Sequence, residues 1–128
     1  MPVHPLGNEI RAHRLRSRLT LKDVAKKAQC SAPYLCKIET GKSAPTDRNF
    51  LERLASALTL SGTQKERLIE AANESQKVLQ LQGELSLKAY QVAYRFSRYV
   101  TQLRNEDLVE LDAILARAHQ KGDPMPTS

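Results

Sequence analysis

Basic side chains are concentrated in residues 1–60 of this 128-residue chain. This half contains eleven Lys and Arg residues against five Asp and Glu residues, a net charge of +6, whereas residues 61–128 contain nine of each. Lysine and arginine bind phosphate groups through their charge, and both donate hydrogen bonds to the edges of nucleic-acid bases. The distribution predicts a basic, phosphate-binding module joined to a neutral module with a different role. The alternative is a basic face that is only solvated.

The other reactive side chains form no recognisable catalytic or metal-binding pattern. Cys30 and Cys36 lie six residues apart, with neither a C-x-x-C motif nor a nearby histidine pair, which argues against a zinc site. We predict that Cys30 is a small core residue and that Cys36 lies on a helix over residues 32–40, where a redox-sensing thiol is an alternative. The sequence has no Ser-Lys or Ser-His-Asp set and no phosphate-binding loop. We therefore expect no enzymatic activity, no cofactor and no metal.

The helices that position the basic residues are signalled most clearly between Leu19 and Pro45. Thr20 is a predicted N-cap, supported by Asp23 three residues later. Ser31 is the predicted N-cap of a second helix, and Gly41 suits the left-handed conformation that ends a helix. Apolar residues line one face of each short helix: Val24, Ala25, Ala28, Leu35 and Ile38. This combination predicts a helix-turn-helix, a motif whose second helix lies in the major groove of DNA.

These residues carry a resemblance to a known family. The segment resembles the helix-turn-helix of the phage-repressor family (Cro/C1, Xre-type), and the similarity covers roughly residues 6–72. It implies an all-α fold, a five-helix lambda-repressor-like DNA-binding bundle. The chain departs from the family at Leu21, where a polar residue that touches a phosphate is usual. The matching positions are Ile10, Arg14, Thr20, Val24, Ala25, Ser31, Ile38, Glu39, Gly41, Pro45, Leu54, Ala55 and Leu58.

The helix-turn-helix geometry also indicates which side chains meet DNA. The recognition helix, residues 32–40, would present five residues to the bases: Ala32, Pro33, Tyr34, Cys36 and Lys37. Lys37 is the strong base-edge donor among them, and guanine O6 and N7 are its natural acceptors. Phosphate contacts are predicted for Ser17, Arg18, Lys22, Ser31, Lys42, Ser43 and Arg48. The resemblance further implies that Arg14 pairs with Glu39 and ties the first helix to the end of the recognition helix.

Local signals predict the bounds of the remaining helices of the bundle. The first helix is expected over residues 7–17, and Thr46 is expected to cap a fourth helix that ends near Thr59. Thr63 and Glu66 form a T-x-x-E capping box for a fifth helix, and residues 73–82 are a candidate extension of it. We assign residues 1–82 to the DNA-binding domain. Its predicted inward residues include Leu6, Ile10, Phe50, Leu51, Leu54, Leu58, Leu68, Ile69 and Ala72.

Residues 83–121 are predicted to form a helical hairpin for dimerisation or interaction. Apolar residues three and four positions apart form a seam along both helices, and Asn105 is the predicted N-cap of the second. A hairpin of this size cannot bury both stripes alone, so we predict a homodimer. The alternatives are a hairpin packed on its own bundle and an aromatic effector pocket around Tyr94. The predicted dimer interface is Leu85, Ala89, Val92, Phe96, Tyr99, Leu103, Leu108, Leu111 and Leu115.

The chain is therefore interpreted as a bacterial or phage transcription regulator. We expect a sequence-specific, homodimeric repressor that reads a pseudo-palindromic operator in double-stranded DNA. An antitoxin that binds a toxin through its C-terminal helices and represses its own operon is the alternative. No apolar signal core is visible at the start and no apolar run approaches ~18 residues, so we expect a cytoplasmic, nucleoid-associated protein without membrane contact. Residues 122–128 are expected to be a disordered tail.

Overall fold

The computed structural model describes residues 4–120 and divides the chain into two compact units, Met1–Gln80 and Leu81–Ser128. Within the described residues there are helices and no strands, so the predicted all-α class is confirmed. The predicted disordered tail, residues 122–128, lies outside this range. The helices of the first unit, which form a bundle, are α1 Pro5–Arg16, α2 Leu21–Ala28, α3 Ala32–Glu39, α4 Arg48–Ala57 and α5 Gly62–Glu74. The second unit contains α6 Leu87–Tyr99, a 3-10 turn Val100–Gln102 and α7 Asn105–Gln120.

All five helices of the bundle contribute apolar side chains to one core. The buried apolar residues are Leu6, Ile10, Val24, Ala25, Ala28, Leu35, Ile38, Phe50, Leu51, Leu54, Ala55, Ala57, Leu58, Leu68, Ala71 and Ala72. Full burial of a Leu or Ile side chain stabilises a fold by roughly 1.5–3 kcal/mol, so this cluster is the main source of stability for the bundle. Ile69 and Cys30 are only partly buried and pack against the edge of the core.

Side-chain caps define where α2 and α3 begin. The Thr20 hydroxyl accepts the Asp23 N–H, and the Asp23 carboxylate accepts the Thr20 N–H, each at 3.0 Å, which is a complete capping box. The backbone hydrogen bond from Thr20 lowers the pKa of Asp23. Ser31 caps α3 by accepting the Tyr34 N–H, and Pro33 lies in the first turn, where no intrahelical donor is required. Both caps lie where the sequence predicts them.

Helices α1 to α4 end in the same backbone arrangement, in which a left-handed residue follows the last turn. These residues are Arg18, Gln29, Gly41 and Thr59, with φ between 52° and 83°. After α3, for example, the Gly41 N–H donates to the Ile38 carbonyl and the Lys42 N–H donates to the Lys37 carbonyl. This is the Schellman pair of hydrogen bonds, which satisfies the last carbonyl groups of a helix. Equivalent pairs follow α1, α2 and α4.

Three predicted helix starts are wrong by one or two residues because a neighbouring side chain supplies the cap. The first helix begins at Pro5 rather than at residue 7, since the His4 ring accepts the Gly7 N–H; it also ends at Arg16, one residue earlier than predicted. Asp47, not Thr46, caps α4. The capping box of α5 is formed by Ser61 and Gln64 instead of the predicted Thr63–Glu66 pair. Asp47 and Ser61 are among the preferred N-cap residues, whereas His4 caps α1 through a ring nitrogen.

Helix α5 ends at Glu74 and does not extend through residues 73–82. Ser75, which is buried, accepts the Leu6 N–H at 2.9 Å and donates to the Ala71 carbonyl at 2.7 Å. The Gln76 side chain donates to the Ala44 and Ala72 carbonyls. Through these hydrogen bonds, Ser75 and Gln76 connect the end of α5 to the start of α1 and to the loop after α3. Helix α5 therefore ends here.

The second unit contains two helices separated by a short 3-10 turn. Ser86 caps α6, so Leu85 and Leu103 of the predicted interface lie outside α6 on either side of it. The predicted N-cap Asn105 is instead the first residue of α7, and the preceding Arg104 N–H donates to Asp107. Helix α6 continues directly into the 3-10 turn, and among the described residues it makes few contacts with α7. Within residues 4–120, no helix combines the length and apolar character needed to cross a membrane.

Candidate nucleic-acid interface

One face of α3 anchors the helix in the core and leaves the other face open to solvent. Leu35 and Ile38 are fully buried, whereas Pro33, Cys36 and Lys37 are exposed. Because α3 has only eight residues, two buried anchors one turn apart define which side faces outward. The exposed side therefore consists of a ring, a thiol and an ammonium group, of which the ammonium is the strong hydrogen-bond donor.

An ion pair between a partly buried arginine and a buried glutamate connects α1 to the end of α3. The Arg14 Nε atom lies 2.7 Å from Glu39 Oε2, and a second guanidinium nitrogen donates to Oε1 at 3.1 Å. Arg14 also donates to the Leu19 carbonyl at 3.0 Å, just before α2. Hydrogen bonding to Glu39 raises the pKa of Arg14 above its already high ordinary value, so the guanidinium stays charged. This group of contacts joins α1, α3 and the start of α2.

Two residues that position α3 carried no assigned role in the sequence-based interpretation. Gly7 faces the end of α3 so closely that an added Cβ would lie 2.7 Å from the Ile38 and Glu39 carbonyl oxygens. Its absence of a side chain therefore allows α1 to approach α3. His4 contacts the Ser43 carbonyl through Nε2 at 3.0 Å while its Nδ1 caps α1, so it joins the loop after α3 to α1. This close approach depends on how α1 packs against α3. A glycine in the first turn of a helix does not by itself predict such packing.

The five residues predicted to face bases differ in exposure. Pro33, Cys36 and Lys37 are exposed, whereas Ala32 and Tyr34 are half-buried and pack against the core. The Tyr34 ring lies against Phe50, with ring centroids 5.7 Å apart and planes inclined by 56°. Tyr34 therefore has a packing role beside any contact with nucleic acid.

The seven residues predicted to meet phosphates also fall into different environments. Arg18, Lys22 and Lys42 are exposed, as is Ser17 at the end of α1. The Ser31 hydroxyl is occupied as the α3 cap, and Ser43 is partly buried. Arg48, in α4, is exposed but paired with two carboxylates. It lies 3.2 Å from Glu52 and 3.8 Å from Glu66.

The cysteines differ in environment as well. Cys30 is partly buried, and this burial raises the pKa of its thiol, whereas Cys36 is exposed on α3. Between residues 4 and 120, His, Cys, Asp and Glu side chains form no cluster of three or more that could hold a metal ion.

Comparison with protein families gives a match that spans half of the chain. A family model described as a helix-turn-helix domain matches residues 5–68, which is half of the chain. The matched range extends from α1 into α5 and includes α2, α3 and the Arg14–Glu39 pair. No curated protein and no solved structure matches the chain.

Proposed function

Because this chain belongs to the helix-turn-helix domain family, we propose that it is a sequence-specific DNA-binding transcriptional regulator. The observation that carries the proposal is the open face of α3, which presents Lys37 beside Pro33 and Cys36 on a helix anchored by Leu35 and Ile38. Sequence-specific reading requires side chains that reach base edges from a rigid support. The buried anchors and the Arg14–Glu39 pair supply that support for α3.

Base reading is proposed for the exposed face of α3 inserted in the major groove. Lys37 donates to guanine O6 or N7, while Pro33 and Ala32 make apolar contacts with thymine methyl groups. Cys36 lies on the same exposed face and is close enough to the bases for its thiol to be shielded by bound DNA. Tyr34, held against Phe50, contributes at the edge of this surface.

Phosphate binding is proposed for the cations around α2 and α3. Arg18, Lys22 and Lys42 are exposed, and Lys22 lies in the first turn of α2, where free backbone N–H groups also attract anions. Ser17, Ser31 and Ser43 add short donors. Arg48 would exchange its carboxylate partners for a phosphate, so we expect it to contribute less.

The regulator is proposed to act as a homodimeric repressor on a pseudo-palindromic operator. One helix-turn-helix makes few base contacts, and two modules whose recognition helices lie about 34 Å apart read two half-sites on one face of DNA. A protein bound in this way blocks access to the DNA that it covers. The second unit is the natural source of the dimer contact, because its large apolar side chains are exposed.

Selection of binding sites from a random DNA pool tests the function directly, followed by affinity measurements on the selected site and on random DNA. We expect Lys37→Ala to lose roughly tenfold to hundredfold affinity for the selected site, with little change on random DNA. Lys42→Ala should instead weaken both complexes and reduce the salt slope by about one. Lys77→Ala, an exposed lysine after α5, is the control for loss of charge alone. Equal loss on both DNAs would remove Lys37 from base reading, and failure to select any site would contradict the function.

An antitoxin role is the second candidate, favoured by the exposed apolar side chains of α6 and α7. In that role the second unit would cover a toxin while the bundle represses the operon. Purification of the intact chain from its native host distinguishes the two, because an antitoxin would carry a small protein in stoichiometric amount and a simple repressor would not.

A further inference from the structure

Helices α6 and α7 each expose an apolar face. On α6, Val92, Phe96 and Tyr99 are 54%, 42% and 53% exposed, and on α7 Leu108 and Leu115 are 37% and 65% exposed. The α6 residues are spaced by four and three, and Leu111 between Leu108 and Leu115 gives α7 the same pattern, which is that of a seam that packs against another helix. Because α6 and α7 of the same chain make few contacts among the described residues, neither seam covers the other.

The two helices carry opposite charges. Helix α6 has three basic residues and no acidic residue, a net charge of +3. Helix α7 has four acidic residues and one arginine, a net charge of −3 when its histidine is neutral. The net charge of residues 61–128 is therefore zero although this half contains two strongly and oppositely charged helices.

The charges next to the seams follow the same division. Lys88 and Arg95 are seven residues apart and immediately precede the seam residues Ala89 and Phe96, so both flank the same side of the α6 seam. On α7, Asp107 and Asp112 flank the seam on its two sides. Within residues 4–120, the structure has no ion pair that involves Lys88, Arg95 or Asp112.

These observations favour one pairing of helices between copies. Two α6 helices packed antiparallel would place Lys88 and Arg95 next to the same basic residues of the second copy. Two α6 helices packed parallel would leave both residues without an acidic partner. Two α7 helices would bring together acidic edges. An α6–α7 pair puts an aspartate opposite the basic edge in either direction, because α7 has one on each side of its seam.

We propose that α6 of one chain packs against α7 of a second copy, and that a two-fold axis repeats this contact to give a dimer with two α6–α7′ pairs. The seam residues form the apolar centre of each pair, and Lys88 and Arg95 face Asp107′ or Asp112′ at its edge. A symmetric dimer with the same patch on both chains satisfies all four helices at once. This inference rests on the proposed function, since it identifies the partner through which the regulator reads two half-sites.

A charge-swap experiment on the full chain tests the pairing. The first variant combines Lys88→Glu and Arg95→Glu, and the second combines Asp112→Lys with Asp107→Asn, which keeps an oxygen able to accept the Arg104 N–H. Arg98→Glu is the matched control, because Arg98 lies on the far side of α6 from the seam. Sedimentation equilibrium measures the dimer dissociation constant of each protein and of an equimolar mixture of the two variants. Circular dichroism and binding to random DNA check that each variant remains folded.

We expect each variant alone to dimerise about tenfold or more weakly than the unmodified chain. The first variant sets acidic residues against acidic residues, and the second removes the carboxylates that face Lys88 and Arg95 and adds a positive charge on α7. The mixture should regain dimers, since the acidic edge of α6 in the first variant then meets an α7 edge that has gained a positive charge and lost its aspartates. At the other contact, the unmodified basic α6 of the second variant meets the unmodified acidic α7 of the first. Arg98→Glu should leave the dissociation constant unchanged.

Other results would overturn the pairing. If both variants dimerise as well as the unmodified chain, the charged edges do not face each other. If both are monomers and the mixture stays monomeric, the α6–α7 contact is within one chain or with a different partner. If the unmodified chain is itself a monomer at micromolar concentration yet selects a DNA site, the dimer is wrong and the DNA-binding function stands. Rescue by mixing without any DNA preference would establish the pairing and contradict the function.

Discussion

Single polar residues orient α3 together with the apolar core. Leu35 and Ile38 fix which side of α3 faces inward, but such anchors alone allow the helix to rock about its axis. The two guanidinium–carboxylate hydrogen bonds between Arg14 and Glu39 have a fixed planar geometry, which removes this freedom at the end of α3. Lys37 lies two residues before Glu39, so any movement at the ion pair changes where its ammonium group reaches.

Removing one member of this pair should be costly. We expect Glu39→Gln to lower the free energy of unfolding by about 3 kcal/mol, because it leaves the Arg14 guanidinium, 14% exposed, without its carboxylate. Glu52→Gln is the matched control: its partner Arg48 is 61% exposed, so the loss should be below about 1 kcal/mol. Urea-induced unfolding measures both. Similar losses for the two variants would show that the Arg14–Glu39 pair contributes no more than a surface contact.

At the scale of the helices, the turns between them share one design. Each of α1 to α4 ends in a Schellman arrangement, and only the one after α3 uses a glycine at the left-handed position. The residue after each of the others, Leu19, Cys30 and Leu60, is partly buried against the core. Each turn is thus fastened by an apolar contact as well as by two hydrogen bonds, which stabilises a left-handed conformation that Arg18, Gln29 and Thr59 do not favour.

Among the left-handed residues, Thr59 is the one whose replacement by glycine should stabilise the fold most. A β-branched side chain is strongly disfavoured at φ +52°, and the left-handed conformation costs roughly 1–2 kcal/mol for residues with a Cβ. We expect Thr59→Gly to raise the free energy of unfolding by about 0.5–1 kcal/mol, since the greater freedom of glycine in the unfolded chain offsets part of the gain. Ser56→Gly, inside α4, should lower it by a similar amount. Thermal unfolding compares the two, and a destabilised Thr59→Gly protein would show that no strain is stored there.

Local sequence signals predicted α2 and α3 well and the ends of the other helices less well. Thr20 and Ser31 have no competing cap beside them, so their helices begin where expected. Thr46 stands next to Asp47, and Thr63 is close to Ser61, so two capping choices existed and packing selected between them. The approach of Gly7 to α3 and the tilted contact of the Tyr34 ring with Phe50 join residues far apart in the chain, and no local pattern contains them.

At the scale of the whole chain, stability and charge are divided between the two units. Every buried apolar residue among those described belongs to the bundle, from Leu6 to Ala72. The first half of the chain also carries the entire net positive charge. The bundle therefore contains what a domain needs to fold and to attract DNA, while the second unit contributes exposed apolar faces and balanced charge.

Truncation after Gln82 should separate these properties. Because no buried apolar residue is removed, we expect the shortened chain to keep the helical signal of the bundle and a melting temperature within a few degrees of that of the intact protein. It should be a monomer in sedimentation experiments and should bind a single half-site and its palindromic duplicate with similar affinity per half-site, because linkage between the two sites is lost. The intact chain should strongly prefer the palindrome. A truncated protein that remains dimeric would place the dimer contact in the bundle, and one that fails to fold would show that the core requires residues beyond Gln82.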